Sequence, residues 1–432
     1  MTMRRKPSLF KRGICALMGL LAMNAYAQQD PDLDALKVAD QMPNTVEQPS
    51  NWRLFAEAGA GVNRARLGGV SQQFQRLSLD LQYDNSFAPG WRAVLSDRLD
   101  VSWPPQATGL SHDINTIKEA YLSWQVQTDQ ILDLGRINAR NGVALGYNPT
   151  DYFRTSALRS VVSVDPASLK ENRQGSVMLR GQKLWSGGSL TALYSPKLAD
   201  ERNYSSFSPD VAATNGQDRW LLTLSQQVMD GITPQVLLYK AEKQPVQIGL
   251  NLTALLNDST VVFAEWSGGR SLSNFAQAMR QIGITYPDDI AFRNHGATGL
   301  TYTTSNKISL TAELEYNGGG LDQEKWNSLG QASLQSYGIY RRFLQGVQET
   351  PAKRSVFVYA SWQDALINHL DLAAMSRYDM ADSSRMSWME ARYHLKHTEF
   401  ALQWQRNSGK SLSNYGAAQQ MQSWQLLARY YF

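Results

Sequence analysis

The chain has 432 residues, one cysteine (Cys15), and 42 Lys+Arg against 38 Asp+Glu. Five of the basic residues and none of the acidic ones precede residue 28, so the remainder is close to neutral and offers no general case for a nucleic-acid partner. That remainder also lacks cysteine, which excludes a disulfide, a thiolate metal site and a thiol nucleophile.

Residues 1–27 read as a secretory signal peptide. Arg4, Arg5, Lys6, Lys11 and Arg12 form a basic start, residues 13–23 a short apolar run, and Ala25-Tyr26-Ala27 a small-x-small cleavage site. The apolar run is too short to span a bilayer as a helix. Residues 28–50, with Pro31, Pro43 and Pro49, read as a flexible periplasmic leader, too short for a plug domain.

From Trp52 the chain alternates with period two, as strands do when one face is apolar and the other polar. Leu77, Leu79, Leu81 and Tyr83 oppose Arg76, Ser78, Asp80 and Gln82. Trp91 to Trp103 repeats the pattern, with Asp97 interrupting its apolar set. Ile308 to Tyr316 repeats it again, setting Leu310, Ala312 and Leu314 against Thr311, Glu313 and Glu315. At ~3.4 Å per residue and a tilt of ~40°, Trp91 and Trp103 stand ~30 Å apart along a membrane normal, the spacing of two aromatic girdles. Eighteen such runs can be counted from 52–63 to 421–432, or 16 if the weakly patterned 233–256 does not form strands. Short polar turns alternate with long connections at 104–115, 141–173, 197–217, 267–291, 317–353 and 409–420. Residues 271–282 and 323–346 lack strict alternation and are expected to carry helix, as outer loops or as a loop entering the lumen.

No later run of about 18 apolar residues exists, so helical spans are excluded. The mean hydropathy is −0.39, yet 12 Trp, 19 Tyr and 13 Phe end many of the alternating runs. These features predict an all-β fold, a transmembrane antiparallel β-barrel of about 18 strands spanning 51–432. A stack of soluble sandwiches would alternate too but would not explain the girdle spacing. The last run, Met421 to Phe432, puts Trp424, Leu426, Ala428, Tyr430 and Phe432 on one parity and Gln425 and Arg429 on the other. It is expected to close the ring against 52–63. Trp424, Tyr430 and Phe432 resemble the assembly signal of bacterial outer-membrane barrels.

The most distinctive internal stretch joins Glu119-Ala120-Tyr121-Leu122-Ser123-Trp124, Leu134-Gly135-Arg136, and the loop ending Asn148-Pro149-Thr150-Asp151-Tyr152-Phe153-Arg154. Its order resembles that of substrate-selective outer-membrane porins and is similar to the alginate-export barrel group. The resemblance implies a loop that folds inward, with Asp151, Arg154, Arg159, Lys170, Glu171 and Arg173 lining or bracing a constriction.

Independently of that likeness, Arg92, Arg98 and Arg180 sit on the polar parity of early strands. Arg136 and Arg140 are expected to join them, although Leu132 and Leu134 share their parity. Stacked cations of this kind favour anions in a narrow pore. Glu313, Glu315 and Asp371 are expected to face them from the opposite wall. The five histidines form no catalytic or metal-binding spacing, and no phosphate-binding loop occurs. Expected, then, is a non-enzymatic outer-membrane channel, without cofactor, passing small polar or anionic solutes or sugars. A polysaccharide exporter is the alternative. Outer-membrane lipid and the barrel assembly machinery are the expected partners, and the channel is expected as a monomer or trimer.

Overall fold

The structure, a computed structural model, describes residues 51–105, 112–332 and 334–432; the expected signal peptide (1–27) and leader (28–50) lie outside the described residues. Its strands are Trp52–Ala65 (β1), Ser71–Ala88 (β2), Trp91–Trp103 (β3), Asp113–Gln127 (β4), Gln130–Ile137 (β5), Ser176–Trp185 (β6), Gly188–Ser195 (β7), Arg219–Gln226 (β8) and Gln235–Ala241 (β9). They continue as Gln247–Asn257 (β10), Thr260–Ser271 (β11), Ala291–Thr303 (β12), Ile308–Asn317 (β13), Arg354–Trp362 (β14), Leu370–Asp379 (β15), Ser384–His394 (β16), Thr398–Ser408 (β17) and Gln420–Tyr431 (β18). Each pairs antiparallel with its neighbour in sequence. β1 pairs with both β2 and β18, from Phe55 opposite Tyr431 to Ala65 opposite Gln420, and the 18-stranded sheet closes. The run 233–256 forms β9 and β10, so the count is 18 rather than 16.

Burial is the inverse of a water-soluble fold. Leu77, Leu79, Leu222, Leu224, Leu310, Leu314 and Leu426 are exposed, whereas Ser78, Asp80, Thr223, Ser225, Thr311, Glu313 and Glu315 are buried. Period-two alternation places these two sets on opposite faces, and a closed ring gives them an outside and a lumen. Trp91 and Trp124 stack on the outside at 5.3 Å near the end with short turns, and Trp103, Trp220 and Phe292 are exposed near the end with long loops. Asp97, on the outward parity, is met by the Asn115 amide at 3.1 Å. Next to it the β3–β4 register shifts, because Ser96 pairs with Glu119 and Asp97 with Ile117. The extra residue, Lys118, turns inward to Asp80.

Among the described residues the expected helices form as Asn274–Gln281, Gln323–Ala332 and Leu334–Val347, and shorter ones occupy Pro166–Glu171 and Val211–Asn215; in chain order these are α1 (166–171), α2 (211–215), α3 (274–281), α4 (323–332) and α5 (334–347). None is long and apolar enough to cross a membrane. α3, α4 and α5 share a small core of Met279, Trp326, Leu329, Tyr337, Tyr340 and Leu344 at the long-loop end.

The two faces make a direct prediction. Leu402 is exposed and its neighbour Gln403 is buried, donating to Glu390. Leu402→Lys should cost about 2–4 kcal/mol near the middle of the apolar band, and Gln403→Lys much less. Folding yield into lipid vesicles, read by heat-modifiable gel mobility, checks this; equal losses would refute the assignment of faces.

Candidate functional site

β5 is only 8 residues long because the chain leaves the wall at its end. Gly135 has φ +138°, and a Cβ there would lie 2.3 Å from the Ala120 carbonyl oxygen, so only glycine fits. The segment 138–175 then crosses the lumen and rejoins the wall at β6.

Carboxylates on the far wall hold it. Glu265 of β11 accepts from the amides of Val143 (2.9 Å), Ala144 (3.1 Å) and Thr150 (2.8 Å), and from the Asn148 amide group (3.1 Å) and the Thr150 hydroxyl (2.8 Å). Glu313 of β13 accepts from the amides of Leu145 (2.5 Å) and Gly146 (2.9 Å). Glu315 is bound by Ser355 (2.5 Å) and Arg377 (3.2 Å), and Arg377 also donates to the Gly146 carbonyl. Gly146 must be small here, since a Cβ would meet Glu315 and Phe357 at 2.6 Å. An amide donates one hydrogen bond and a carboxylate accepts several, so two acids can fix the irregular backbone from Val143 to Thr150.

Aromatic residues complete the anchoring. Tyr152 stacks on Tyr239 of β9 at 4.3 Å, and Phe153 packs between Tyr239 and Arg219 of β8. The Tyr152 hydroxyl also hydrogen-bonds the Ser267 hydroxyl at 2.9 Å. Asp151 is bound by Arg173, and Arg154 by Glu349 of the β13–β14 connection, whose carboxylate also accepts from Tyr147 at 2.7 Å. On the other side, Glu171 at the end of α1 meets Arg53 of β1 (3.1 Å) and Gln82 of β2 (3.2 Å). The segment thus reaches both sides of the ring.

This placement corrects the expected lining. Arg98, Asp151, Arg154, Glu313 and Glu315 are all under 8 % exposed and bonded, so they brace the wall and the crossing segment rather than line open space. The early wall is not a bare basic strip. Arg98 bonds Asp100 (3.0 Å) and Asp80 (3.3 Å), Lys118 reaches Asp80 (2.7 Å), and Glu57 joins Arg76 (2.8 Å) to Arg429 (2.8 Å). Interleaved acids cancel the expected field between a basic and an acidic wall; Asp371 in turn is held by His394 at 3.1 Å. Arg136 lies opposite Ala120 and Val177 on the outward parity that it shares with Leu132 and Leu134, so it does not face the lumen. Arg140 lies beyond β5, in the crossing segment. Arg92, paired with Asp84, and Arg180, paired with Asp133, stay partly open, with side chains 24 % and 23 % exposed.

Sequence reading missed Glu265, Glu349 and Lys118. Glu265 sits on the inward parity of β11 between Phe263 and Ser267, a lone acid whose partners lie over a hundred residues away. Glu349 is in a connection without period, and only the bulge turns Lys118 inward.

A scan of protein-family models finds no match, and a search of curated proteins finds none either. Solved structures do match. The chain aligns over 88 % of its length with 96 % of OccAB1 of Acinetobacter baumannii, at TM-score 0.56 and 9 % identity. It aligns over the same share with 98 % of OccK8 (OprE) of Pseudomonas aeruginosa, at 0.51 and 13 %, and with 98 % of OccK5 (OpdH) of that organism, at 0.51 and 11 %. These neighbours are outer-membrane porins, and at such identities the likeness establishes a shared fold.

Proposed function

We propose that this barrel of outer-membrane porin fold is a passive channel of the outer membrane for small polar or anionic solutes or sugars. The observation that carries the reading is the lumen itself: a polar interior crossed by a segment that is pinned to both sides of the ring. The apolar outer band between aromatic ends suits a bilayer, with the long loops at the outer surface. Arg92 and Arg180 are partly open to the lumen, but each is held by a carboxylate, Asp84 or Asp133, so neither pair adds net charge to the passage. A pinned crossing segment weighs against the alternative, export of a polysaccharide chain, which needs a continuous wide bore.

Planar-bilayer recording of the folded protein tests this. Small, steady conductance steps are expected, and the reversal potential in a salt gradient reads the ion preference. Folded, heat-modifiable protein that gives no steps at all would overturn the channel reading. For the exporter, deletion in the native host should leave polymer secretion unchanged.

A further inference from the structure

Where β5 leaves the wall, the long-loop half of β4 loses its neighbour. The β7–β8 connection fills the gap, and the Asn115 amide donates to the Ser206 carbonyl at 2.9 Å. Three arginines from different parts of the chain converge on this patch. Arg136 donates to the Pro209 carbonyl at 2.8 Å. Arg159 donates to the carbonyls of Asn115 (2.6 Å), Ser205 (3.0 Å) and Ser208. Arg202 binds the Asp210 carboxylate at 2.7 Å. Residues 208, 209 and 210 thus receive one guanidinium each.

Among the described residues, Asp210 is the one carboxylate bonded to this group. It is 1 % exposed and already committed to Arg202 and to the Asn203 amide at 3.0 Å. Three fixed cations against one anion leave an excess of two positive charges. Carbonyl dipoles orient Arg136 and Arg159 but do not neutralise them. Arg136, 5 % exposed, also keeps one buried terminal nitrogen (Nη1) without any hydrogen-bond partner. A buried charged donor left unmet is costly, and an arriving anion relieves it.

We propose that Arg136, Arg159 and Arg202 form a phosphate-binding site in the wall at the long-loop end. Guanidinium forks suit phosphate oxygens geometrically as well as electrostatically. The position favours a phosphorylated lipid headgroup. Asn115 sits opposite Leu99 of β3, just inside Trp103, at the edge of the apolar band. Tyr204 and Phe207 beside the arginines are 70 % and 66 % exposed, and Arg202 lies over the Tyr204 ring at 4.9 Å. Dissolved phosphate shares the same chemistry. The site does not depend on the channel reading, which conductance tests separately.

The full barrel in phosphatidylcholine nanodiscs doped with phosphatidic acid supplies the test, with retained lipid read by native mass spectrometry and pyrophosphate titrated in a second arm. Wild type should retain phosphatidic acid, R159Q/R202Q should lose about tenfold or more in affinity, and R159K/R202K, which keeps the charges but not the forks, should fall between the two. Retention that pyrophosphate does not displace identifies the headgroup as the source. Pyrophosphate binding without lipid retention, lost in R159Q/R202Q, identifies dissolved phosphate. If the double variant fails to fold by heat-modifiable mobility, R202Q alone, whose side chain is one-third exposed, takes its place. A folded glutamine variant that matches wild type in both arms overturns the site.

Discussion

Replacing Glu265 and Glu313 together by alanine is expected to raise single-channel conductance several-fold and to make the open level flicker, while the barrel stays folded. Glu265 takes five hydrogen bonds from the crossing segment and Glu313 binds two further amides. Bonds to a charged acceptor are worth about 1.5–3 kcal/mol each, and lumen water that replaces a lost acceptor lowers that figure. Even at about 0.5 kcal/mol apiece, the loss exceeds the ~1.4 kcal/mol that shifts a two-state equilibrium tenfold. The segment would still be tethered by Asp151–Arg173, Arg154–Glu349 and the Tyr152–Tyr239 stack, so partial release with flicker is expected rather than loss of the segment. Glu265→Gln should fall between wild type and alanine, because an amide NH2 set among backbone donors satisfies only one side of the cluster. Conductance unchanged in the folded double variant would show that these carboxylates do not hold the crossing segment in place.

Glu57→Ala should be the most destabilising single change in the wall, at about 3–5 kcal/mol. Glu57 is 3 % exposed and stands where β1 meets both β2 and β18. Its carboxylate binds Arg76 and Arg429 at 2.8 Å and lies 3.6 Å from Arg98. Removing it leaves Arg76, Arg98 and Arg429 to share Asp80, Asp100 and Glu399, of which Asp80 is already bound by Lys118 and Glu399 by Arg392. Breaking one partner of a buried ionic network is far worse than replacing the network whole, since the remaining charges stay desolvated. Urea unfolding from lipid vesicles measures the loss, and Glu57→Gln, which keeps the volume and one acceptor, should cost less. A midpoint for Glu57→Ala indistinguishable from wild type would mean that water reaches the cluster freely.

Much of the barrel was legible from local pattern. Strand alternation is a property of consecutive residues, so Leu77 to Tyr83, Trp91 to Trp103 and Ile308 to Tyr316 announced both their extent and their outward face. The same logic anticipated the pairing of β1 with β18 and the inward set of Gln425 and Arg429. Loss of alternation at 271–282 and 323–346 marked the helices there. Leu132 and Leu134, outward by any count, already pointed to the outward placement of Arg136.

Which charge meets which was not legible, because that depends on neighbours across the sheet and across the lumen. Arg98 looked like a free lumen cation until β2 and β3 set Asp80 and Asp100 beside it. Glu313 and Glu315 looked like a bare acidic wall until the amides of 145–146 and Arg377 arrived from distant parts of the chain. Local alternation is enough to specify the strands, their two faces and the ring. Which charges face water and which are consumed in bracing follows from the folded chain, because a period of two assigns a side chain to a face, whereas its electrostatic partner is chosen by strand register and by the course of a segment that has no period at all.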